Sequence, residues 1–369
     1  MDISNKKQMG NEVLFQNPDT SDSITIDKNQ ILLIRDVANI IINKFNLKSP
    51  PIFFTIFKNN PTETQFLEED DRLDEIIKNK LGNEVPIWWR TIDLDPETLY
   101  KLRIDRFIKS GYNLDLIKSK KIMIVGVGLL GTEIALHCAT IGFKEITLLD
   151  YGNVDWFNIY RQPLFDKKDV FKKKVEVGKC KLEEMGGIKV NAINIEIPNF
   201  NSILTEKDKI LSNIDKLENL ISTQDFIITA LDTFSARMVI QILSLAHNKV
   251  LINTAAGLIG GIVQIVRPNI DPCIGCGTFY DKNQEIGACT LASFGIPKVI
   301  SGICIDILLD LAENRSLNFN YLKYNPNYSL ETKTFIRSTD CQFCGSNGII
   351  FDYKNGNRTK IIEWLIESD

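Results

Sequence analysis

A glycine-rich turn and an acid on the next strand supply the first chemistry that this 369-residue sequence suggests. Gly126, Gly128 and Gly131 stand between the apolar run KIMIV and a helical segment, in the pattern GxGxxG. Such glycines permit a tight turn and let a phosphate approach the unpaired N–H groups at the helix start. Asp150 ends the next apolar run, about 20 residues on, where an acid can bind ribose hydroxyls. These features predict a nucleotide site and fit ATP and NAD equally well.

Polar and cationic residues after this acid favour one nucleotide over the other. They are Asn158, Arg161, Gln162 and Lys174. Hydride transfer needs no such array, whereas attack of a carboxylate on the α-phosphate of ATP develops charge that Arg, Lys and a metal ion stabilise. Asp232 ends the apolar run DFIITALD and is a candidate Mg²⁺ ligand. The array favours nucleotidyl transfer. Taken alone, Arg161 would be interpreted as part of a surface salt bridge and Lys174 as a solvated side chain.

Two CxxC pairs predict a metal site. They are Cys273 with Cys276, and Cys341 with Cys344. In a reducing compartment this spacing favours metal binding over disulfides, and two pairs of thiolates suit tetrahedral Zn²⁺. The same spacing would also fit a redox pair or four separate thiols.

The overall composition restricts the class of partner. The formal net charge is -4, with 44% apolar and 24% charged residues, as in ordinary globular proteins. This balance gives no general attraction to nucleic acid or anionic lipid. No apolar stretch reaches the roughly 18 residues of a membrane span, and the start, MDISNKKQMGNEV, lacks the apolar core of a signal peptide. We therefore expect a cytoplasmic protein that binds neither nucleic acid nor membrane.

Alternating strands and helices must position these side chains. Four runs with almost no polar alternation, KIMIV, EITLLD, DFIITALD and VLINTAA, are separated by helical segments. Such runs are typical of parallel strands that are covered on both faces. The pattern predicts an α/β fold with a Rossmann-like, doubly wound, mostly parallel sheet.

The remaining segments predict smaller parts. Residues 1–20 are polar and predict a flexible tail, while residues 21–97 predict a small α+β domain whose element order resembles a ubiquitin-like or Ras-association-like fold. A helical connector is expected over 98–118 and the main domain over 119–345. Residues 346–369 predict a hairpin around Asn355 and Gly356 and then a short helix.

Seven segments together resemble the ThiF/MoeB/HesA superfamily, which includes the adenylation domains of ubiquitin-activating enzymes. They are GVGLLG, LLDYGNVDWFNIYRQPLF, DVFKKKVE, ALDTFSAR, PCIGC, ACTLASFG and CQFC, in the order of the family, over about 100–345. The resemblance implies a ThiF-type adenylation domain that uses ATP and Mg²⁺ and holds Zn²⁺ on the two CxxC pairs.

The resemblance also implies roles for single residues. The acid matching Asp150 binds ribose, and the acid matching Asp232 binds Mg²⁺. The residues that bind phosphate match Asn158, Arg161 and Lys174, and Gln162 completes the nucleotide set. Two departures, Phe107 for a usual glutamine and Thr233 for a usual asparagine, limit what the family says about local geometry.

Two further residues are implicated only by the resemblance. RIDRF resembles the RYxRQ signature, so Arg106 would reach the ATP of a partner subunit in a homodimer. Cys289 resembles the Cys-Thr of ubiquitin-type activating enzymes, including the autophagy activating enzyme. It would hold the substrate as a thioester, or be a packed cysteine in an enzyme that stops at the adenylate.

The expected reaction is ATP-dependent adenylation of the carboxyl-terminal glycine of a ubiquitin-like or sulfur-carrier protein, with a conjugating enzyme as a further partner. A short peptide could take the place of that substrate, as in microcin-type enzymes, which also carry an added amino-terminal domain. The sequence is also compatible with an NAD-dependent oxidoreductase and with a non-catalytic subunit of a heterodimer. The small amino-terminal domain would bind the substrate or a partner, or pack as an accessory of the dimer.

Overall fold

A computed structural model describes most of the chain. The described residues are 12–27, 32–80, 85–91, 93–95, 97, 98, 101, 102, 104, 109, 111–199, 207–276 and 293–367. Arg106, Phe107 and Cys289 lie outside them. The chain divides into two units, residues 1–102 and 103–369. Within the described ranges, every helix is too short or too polar to span a lipid bilayer.

The first unit is a five-stranded sheet with two helices. Its strands are β1 (Glu12–Gln16), β2 (Ser23–Asp27), β3 (Ile52–Phe57), β4 (Asn60–Leu67) and β5 (Ile87–Arg90), and its helices are α1 (Ile34–Phe45) and α2 (Leu73–Asn79). The strand order is β2-β1-β5-β3-β4. The pair β1 and β5 is parallel, and the other pairs are antiparallel. The small α+β domain that the sequence predicts is therefore present.

Residues 12–16 correct the predicted flexible tail over 1–20. They form β1, which lies between β2 and β5 in the sheet. Val13 and Phe15 are buried while their neighbours are more exposed, and this alternation is that of a half-buried strand. In the sequence, this alternation covers only five residues between polar segments, so it does not predict a strand. The sequence does not predict strand β4 either, because NPTETQFL is mostly polar and exposed and is held by its pairing with β3.

The second unit contains an eight-stranded sheet. Its strands are β6 (Lys121–Val125), β7 (Glu145–Leu149), β8 (Lys189–Ile193), β9 (Phe226–Thr229), β10 (Val250–Ala256), β11 (Gly261–Val266), β12 (Tyr321–Tyr324) and β13 (Leu330–Lys333). The order is β13-β12-β11-β10-β9-β6-β7-β8, parallel from β10 to β8 and antiparallel from β10 to β13. This topology confirms the predicted Rossmann-like, mostly parallel sheet.

Helices cover both faces of this sheet. They are α3 (Leu114–Ser119), α4 (Leu129–Ile141), α5 (Lys174–Glu183), α6 (Lys207–Ser222), α7 (Phe234–Ala246), α8 (Ile296–Ala312), α9 (Ile349–Lys354) and α10 (Lys360–Glu367). On β6, Ile122 and Ile124 enter the core beneath α4, α5 and α8, whereas Met123 and Val125 enter the core beneath α6, α7, α9 and α10. Burial on both sides explains why KIMIV shows no polar alternation.

The carboxyl-terminal hairpin predicted around Asn355 and Gly356 is wrong. These residues end α9, and α10 follows them. Ile350 and Tyr353 are buried at a spacing of three, which places them on one face of a helix. Gly356 has φ +93° and so supplies the left-handed turn between the two helices. Of the predicted connector over 98–118, α3 forms the end, and many of the earlier residues lie outside the described ranges.

Close backbone packing joins β6 to α4. Gly126 has φ +93°, and its N–H donates to the carbonyl oxygen of Leu149 at 2.8 Å. A Cβ on Gly131 would lie 1.8 Å from the carbonyl oxygen of Gly126. Only glycine at position 131 therefore lets the helix begin so close to the end of the strand.

We expect Gly131→Ala to lower the free energy of unfolding by about 1–3 kcal/mol or more, because the added methyl group must displace backbone. Gly302→Ala is the matched control, since Gly302 lies inside α8 and a Cβ there meets no atom within 4 Å. It is expected to leave stability unchanged or raise it by up to about 1 kcal/mol. Urea unfolding followed by circular dichroism measures both. Equal stability of the two variants would refute the packing argument.

Candidate functional site

A cleft of about 330 Å³ lies at the carboxyl edge of β6, β7 and β9. Because β6 lies between β7 and β9, the cleft occupies the position where the connections diverge to opposite sides of the sheet. Eight residues that the sequence predicted for nucleotide chemistry line it: Gly126, Gly128, Asp150, Asn158, Arg161, Gln162, Lys174 and Asp232. Gly131 does not line the cleft and packs behind the turn.

The start of α4 opens into the cleft. Gly128 is the N-cap residue, and no side chain of the described residues caps the helix. A Cβ at Gly128 would meet no atom within 4 Å, so the space in front of the turn is open. The unpaired N–H groups and the helix dipole favour an anion at this position.

Asp150 joins the end of β7 to the glycine turn. One carboxylate oxygen accepts from the N–H of Val127 at 2.7 Å, and the other accepts from the N–H of Gly152 at 2.7 Å. The two bonds fix the carboxylate in one orientation at the rim of the cleft. The remaining lone pairs of the two oxygens are suited to accept from hydroxyl groups of a ligand.

Turns in residues 155–162 bring amide and cationic side chains to the cleft. The Asn158 side-chain oxygen accepts from the N–H of Asp155 at 2.8 Å, and its carbonyl oxygen accepts from the N–H of Arg161 at 3.0 Å and of Gln162 at 2.8 Å. Gln162 is 7% exposed, and its Oε1 has no hydrogen-bond partner among the described residues. A buried acceptor beside a cleft suits a hydrogen-bond donor of a ligand.

The basic run that follows is held by internal ion pairs. Lys181 Nζ lies 2.9 Å from an Asp166 carboxylate oxygen and 2.7 Å from one of Asp169. Burial of the Asp169 carboxyl favours a higher pKa, but the hydrogen bonds from Lys181 and from the Asp166 N–H, together with the attraction to the Lys181 charge, outweigh burial, so the pKa is lowered. Between these acids and Lys181, at the start of α5, the Lys174 N–H donates to the Gly152 carbonyl oxygen at 3.1 Å, and the Lys174 side chain reaches the cleft. The segment therefore delivers one lysine to the site and keeps Lys181 in structural pairs.

The sequence did not identify the apolar wall of the cleft. Ile195 and Ile197 follow β8, and Tyr151 and Phe157 lie in the segment after β7; all four line the cleft. The location of Ile195 and Ile197 could have been predicted, because residues after the carboxyl ends of parallel strands meet at the same edge of the sheet. The apolar wall suits a base or another flat ring.

The structure brings the two CxxC pairs together. Their four sulfur atoms all lie within 4.8 Å of one another. Cys273 Sγ is 3.6 Å from Cys341 Sγ, and Cys276 Sγ is 3.4 Å from Cys344 Sγ. With Zn–S bonds of about 2.3 Å, tetrahedral geometry places sulfur atoms about 3.8 Å apart. The cluster is compatible with zinc.

Hydrogen bonds among the four sulfur atoms favour thiolates at Cys341 and Cys344. Bonds from Cys273 and Cys276 lower the pKa of Cys341 and lower that of Cys344 to about 6, whereas the pKa of Cys273 is raised by its bonds to the other three sulfur atoms. The loop around Cys341 and Cys344 is held by its backbone, since the carbonyl oxygen of Cys341 accepts from the N–H of Gly345 at 2.8 Å and Arg337 donates to the carbonyl oxygen of Cys344. Metal binding to cysteine requires loss of the thiol proton, so Cys341 and Cys344 are the thiols most ready to bind a metal.

Comparison with known proteins gives one matching family model, described as the ThiF family, over residues 100–343. The ubiquitin-like modifier-activating enzyme ATG7 of Debaryomyces hansenii is 25% identical over 301 residues, which cover 69% of this chain and 46% of that protein. ATG7 of Saccharomyces cerevisiae (strain YJM789) is 25% identical over 284 residues, which cover 70% and 44%. The chain thus spans less than half the length of these relatives.

Solved structures share the fold. Escherichia coli MccB with ATP is 20% identical with a TM-score of 0.52, covering 63% of this chain and 68% of that one. The microcin C7 biosynthetic enzyme MccB in complex with N-formylated MccA is 20% identical with a TM-score of 0.55, covering 67% and 75%. PaaA is 18% identical with a TM-score of 0.52, covering 67% and 86%.

Proposed function

The chain belongs to the ThiF family, and on this premise we propose that it is an ATP-dependent adenylating enzyme that acts on the carboxyl terminus of a protein or peptide. One observation carries the proposal. Two acids, two amides and two cations converge on one cleft in front of an open helix start: Asp150, Asp232, Asn158, Gln162, Arg161 and Lys174. A triphosphate needs this combination, since ribose hydroxyls pair with an acid and phosphates pair with cations and N–H groups.

In the proposed reaction, a substrate carboxylate oxygen attacks the α-phosphorus of ATP. The bond between that phosphorus and the bridging oxygen breaks, pyrophosphate leaves with the electron pair, and an acyl adenylate remains. Arg161 and Lys174 stabilise the charge that grows on the phosphoryl oxygens, and Asp150 orients the ribose. Asp232 would hold Mg²⁺, which when bound neutralises charge on the polyphosphate.

We propose a ubiquitin-like or sulfur-carrier protein with a terminal glycine as the substrate and a conjugating enzyme as the downstream partner. The names of the ATG7 relatives support a ubiquitin-like modifier. A short peptide is the second candidate, because MccB, whose fold the chain shares, has been solved with N-formylated MccA.

Two residues outside the described ranges complete the proposal. Arg106 would reach the ATP of the other subunit in a homodimer, and Cys289 would accept the acyl group from the adenylate as a thioester with release of AMP. Both roles rest on the resemblance of RIDRF and ACTLASFG to the family motifs.

We expect Arg161→Ala and Lys174→Ala each to slow exchange of labelled pyrophosphate into ATP by roughly 10²- to 10³-fold, because each removes a donor to the transferring phosphate. Candidate carrier proteins and carboxyl-terminal peptides are tested separately as substrates. Lys167→Ala is the control, since Lys167 is an exposed lysine of the same basic run and does not line the cleft.

Unchanged exchange in both cleft variants would refute the roles of Arg161 and Lys174, and absence of exchange in the wild type with every tested substrate would favour a non-catalytic subunit. NADH binding by the wild type without any exchange would favour the oxidoreductase. Mixing Arg106→Ala with Arg161→Ala protein tests the shared site, because a mixed dimer contains one cleft with both arginines. Recovered exchange is expected in the mixture, and its absence would contradict the contribution from the partner subunit.

For Cys289, the expected product is a reductant-sensitive band of enzyme plus carrier on a non-reducing gel. Cys289→Ser should remove that band while pyrophosphate exchange persists, because the adenylate forms before the thiol reacts. Cys180→Ser is the control, since Cys180 is an exposed thiol on α5 that lies outside the four-cysteine cluster. A band that survives in Cys289→Ser would show that another group accepts the acyl chain.

We expect the purified protein to contain about one zinc ion per chain, held by the four cysteines. Cys344→Ser should lose the metal and unfold at a lower temperature, because the metal links two distant segments. Elemental analysis by mass spectrometry and thermal unfolding with and without chelator measure these effects, and Cys180→Ser should match the wild type. A metal-free protein that is indifferent to chelator would refute the zinc site.

A further inference from the structure

Arg237 is a buried cation directly behind the cleft. It lies in the first turns of α7 and is 3% exposed, although arginine is rarely buried without a specific role. Its guanidinium donates to the carbonyl oxygen of Leu231, the side-chain oxygen of Asn253 and, at 2.8 Å, the carbonyl oxygen of Thr254. Leu231 immediately precedes Asp232, which lines the cleft.

These acceptors lie at the end of the ladder between β9 and β10, where the two chain segments separate. The parallel ladder between β9 and β10 ends with the pair Thr229 and Asn253. Beyond that pair, the chain after β9 turns towards α7 through Leu231, whereas β10 continues and pairs with β11. The chain segments that contain Leu231 and Thr254 are therefore no longer paired with each other, and the guanidinium donates to a carbonyl oxygen of each.

Neighbouring threonines tighten the same junction. The Thr229 hydroxyl donates to the Asn253 side-chain oxygen at 3.0 Å, and the Thr254 hydroxyl donates to the Thr229 carbonyl oxygen at 2.8 Å. Thr229, Asn253 and Thr254 are all buried. A network of this kind is rigid, because any rearrangement that removes one donor leaves a buried acceptor unpaired, and this costs free energy.

We propose that Arg237 is a positioning residue: it fixes the peptide before Asp232 and so sets the direction in which that carboxylate meets a divalent cation. The inference rests on the proposed function, because it assumes that Asp232 holds Mg²⁺ with ATP. Arginine suits the task better than lysine, since its planar fork can donate to several acceptors in fixed directions while a single ammonium cannot.

The test measures ATP affinity by calorimetry, first in EDTA and then across a series of Mg²⁺ concentrations. In Arg237→Lys, we expect the Mg²⁺ concentration for half-maximal enhancement of ATP binding to rise roughly 10-fold or more, as for other residues that orient metal ligands. ATP affinity in EDTA should stay at the wild-type value, because no part of the guanidinium is assigned to the nucleotide. Asp232→Asn should change the Mg²⁺ requirement in the same direction.

Arg267→Lys is the matched control. Arg267 is a half-buried arginine that makes two hydrogen bonds to Asp271, at 2.7 and 3.0 Å, and it does not line the cleft. It should lower the unfolding temperature without changing the Mg²⁺ requirement. Asn253→Ala removes one acceptor and keeps the guanidinium, so it replaces Arg237→Lys if that variant does not fold, with the same expected direction.

A wild-type Mg²⁺ requirement in Arg237→Lys, or an equal loss of ATP affinity with and without the metal, would overturn the positioning role. Because the readout is binding and not turnover, it is separate from the reaction itself. Wild-type protein that binds ATP with Mg²⁺ but never exchanges pyrophosphate would refute the proposed function and leave this measurement valid.

Discussion

The contact between the glycine turn and its neighbouring strands is the constraint on which the rest of the site depends. The N–H of Gly126 donates to the end of β7, and a Cβ on Gly126 would lie 2.6 Å from the carbonyl oxygen of Ala230, just after β9. The turn thus touches the ends of both adjacent strands. Asp150 and Asp232 follow those two parallel strands, so the turn lies between two acids that line the same cleft.

The charged side chains at this edge come from distant parts of the sequence, and separate hydrogen bonds and ion pairs hold each of their segments in place. The carboxylate of Asp150 is fixed by two N–H donors. The segment that contains Lys174 is held by the ion pairs of Lys181 with Asp166 and Asp169. Neighbouring cations repel one another when no anion is bound. A polyanion relieves this repulsion when it binds, so a site of this kind favours a polyanion. The acids on either side of the cleft reduce that repulsion and provide ligands for a divalent ion.

The four-cysteine cluster and the β10–β11 connection are two further fixed points of the second unit. Cys276 belongs to the cluster, and the Ser293 N–H donates to the carbonyl oxygen of Gly257 between β10 and β11 at 3.2 Å. The described residues on either side of 277–292 therefore lie at the cluster and at the β10–β11 connection. Cys341 and Cys344 lie against Cys273 and Cys276, which are 68 positions away in the sequence, so the carboxyl-terminal helices begin beside the same four sulfur atoms.

The sequence predicted what depends on repeated or local patterns. Strand β6 was predictable because burial on both faces leaves an unbroken apolar run, and the cleft residues were predictable because parallel strands place their ends together. Strand β4 was not, since its polar residues are held by pairing across the sheet, and the hairpin prediction at Asn355 was wrong because its turn signal also fits the end of a helix. Cys289 and Arg106 stay predictions, as both lie outside the described residues.

Thr233 shows why a departure from a family motif need not disturb a site. The usual asparagine is replaced, yet Thr233 is the N-cap residue of α7 with extended backbone angles, a position that both residue types favour. Its carbonyl oxygen accepts from the N–H of Arg237 at 3.2 Å, its hydroxyl makes no capping bond within the described part of the chain, and it lines the cleft. The backbone around Asp232 is therefore determined by the helix start and by the guanidinium behind it. The side chain at position 233 can change within this frame without moving the acid.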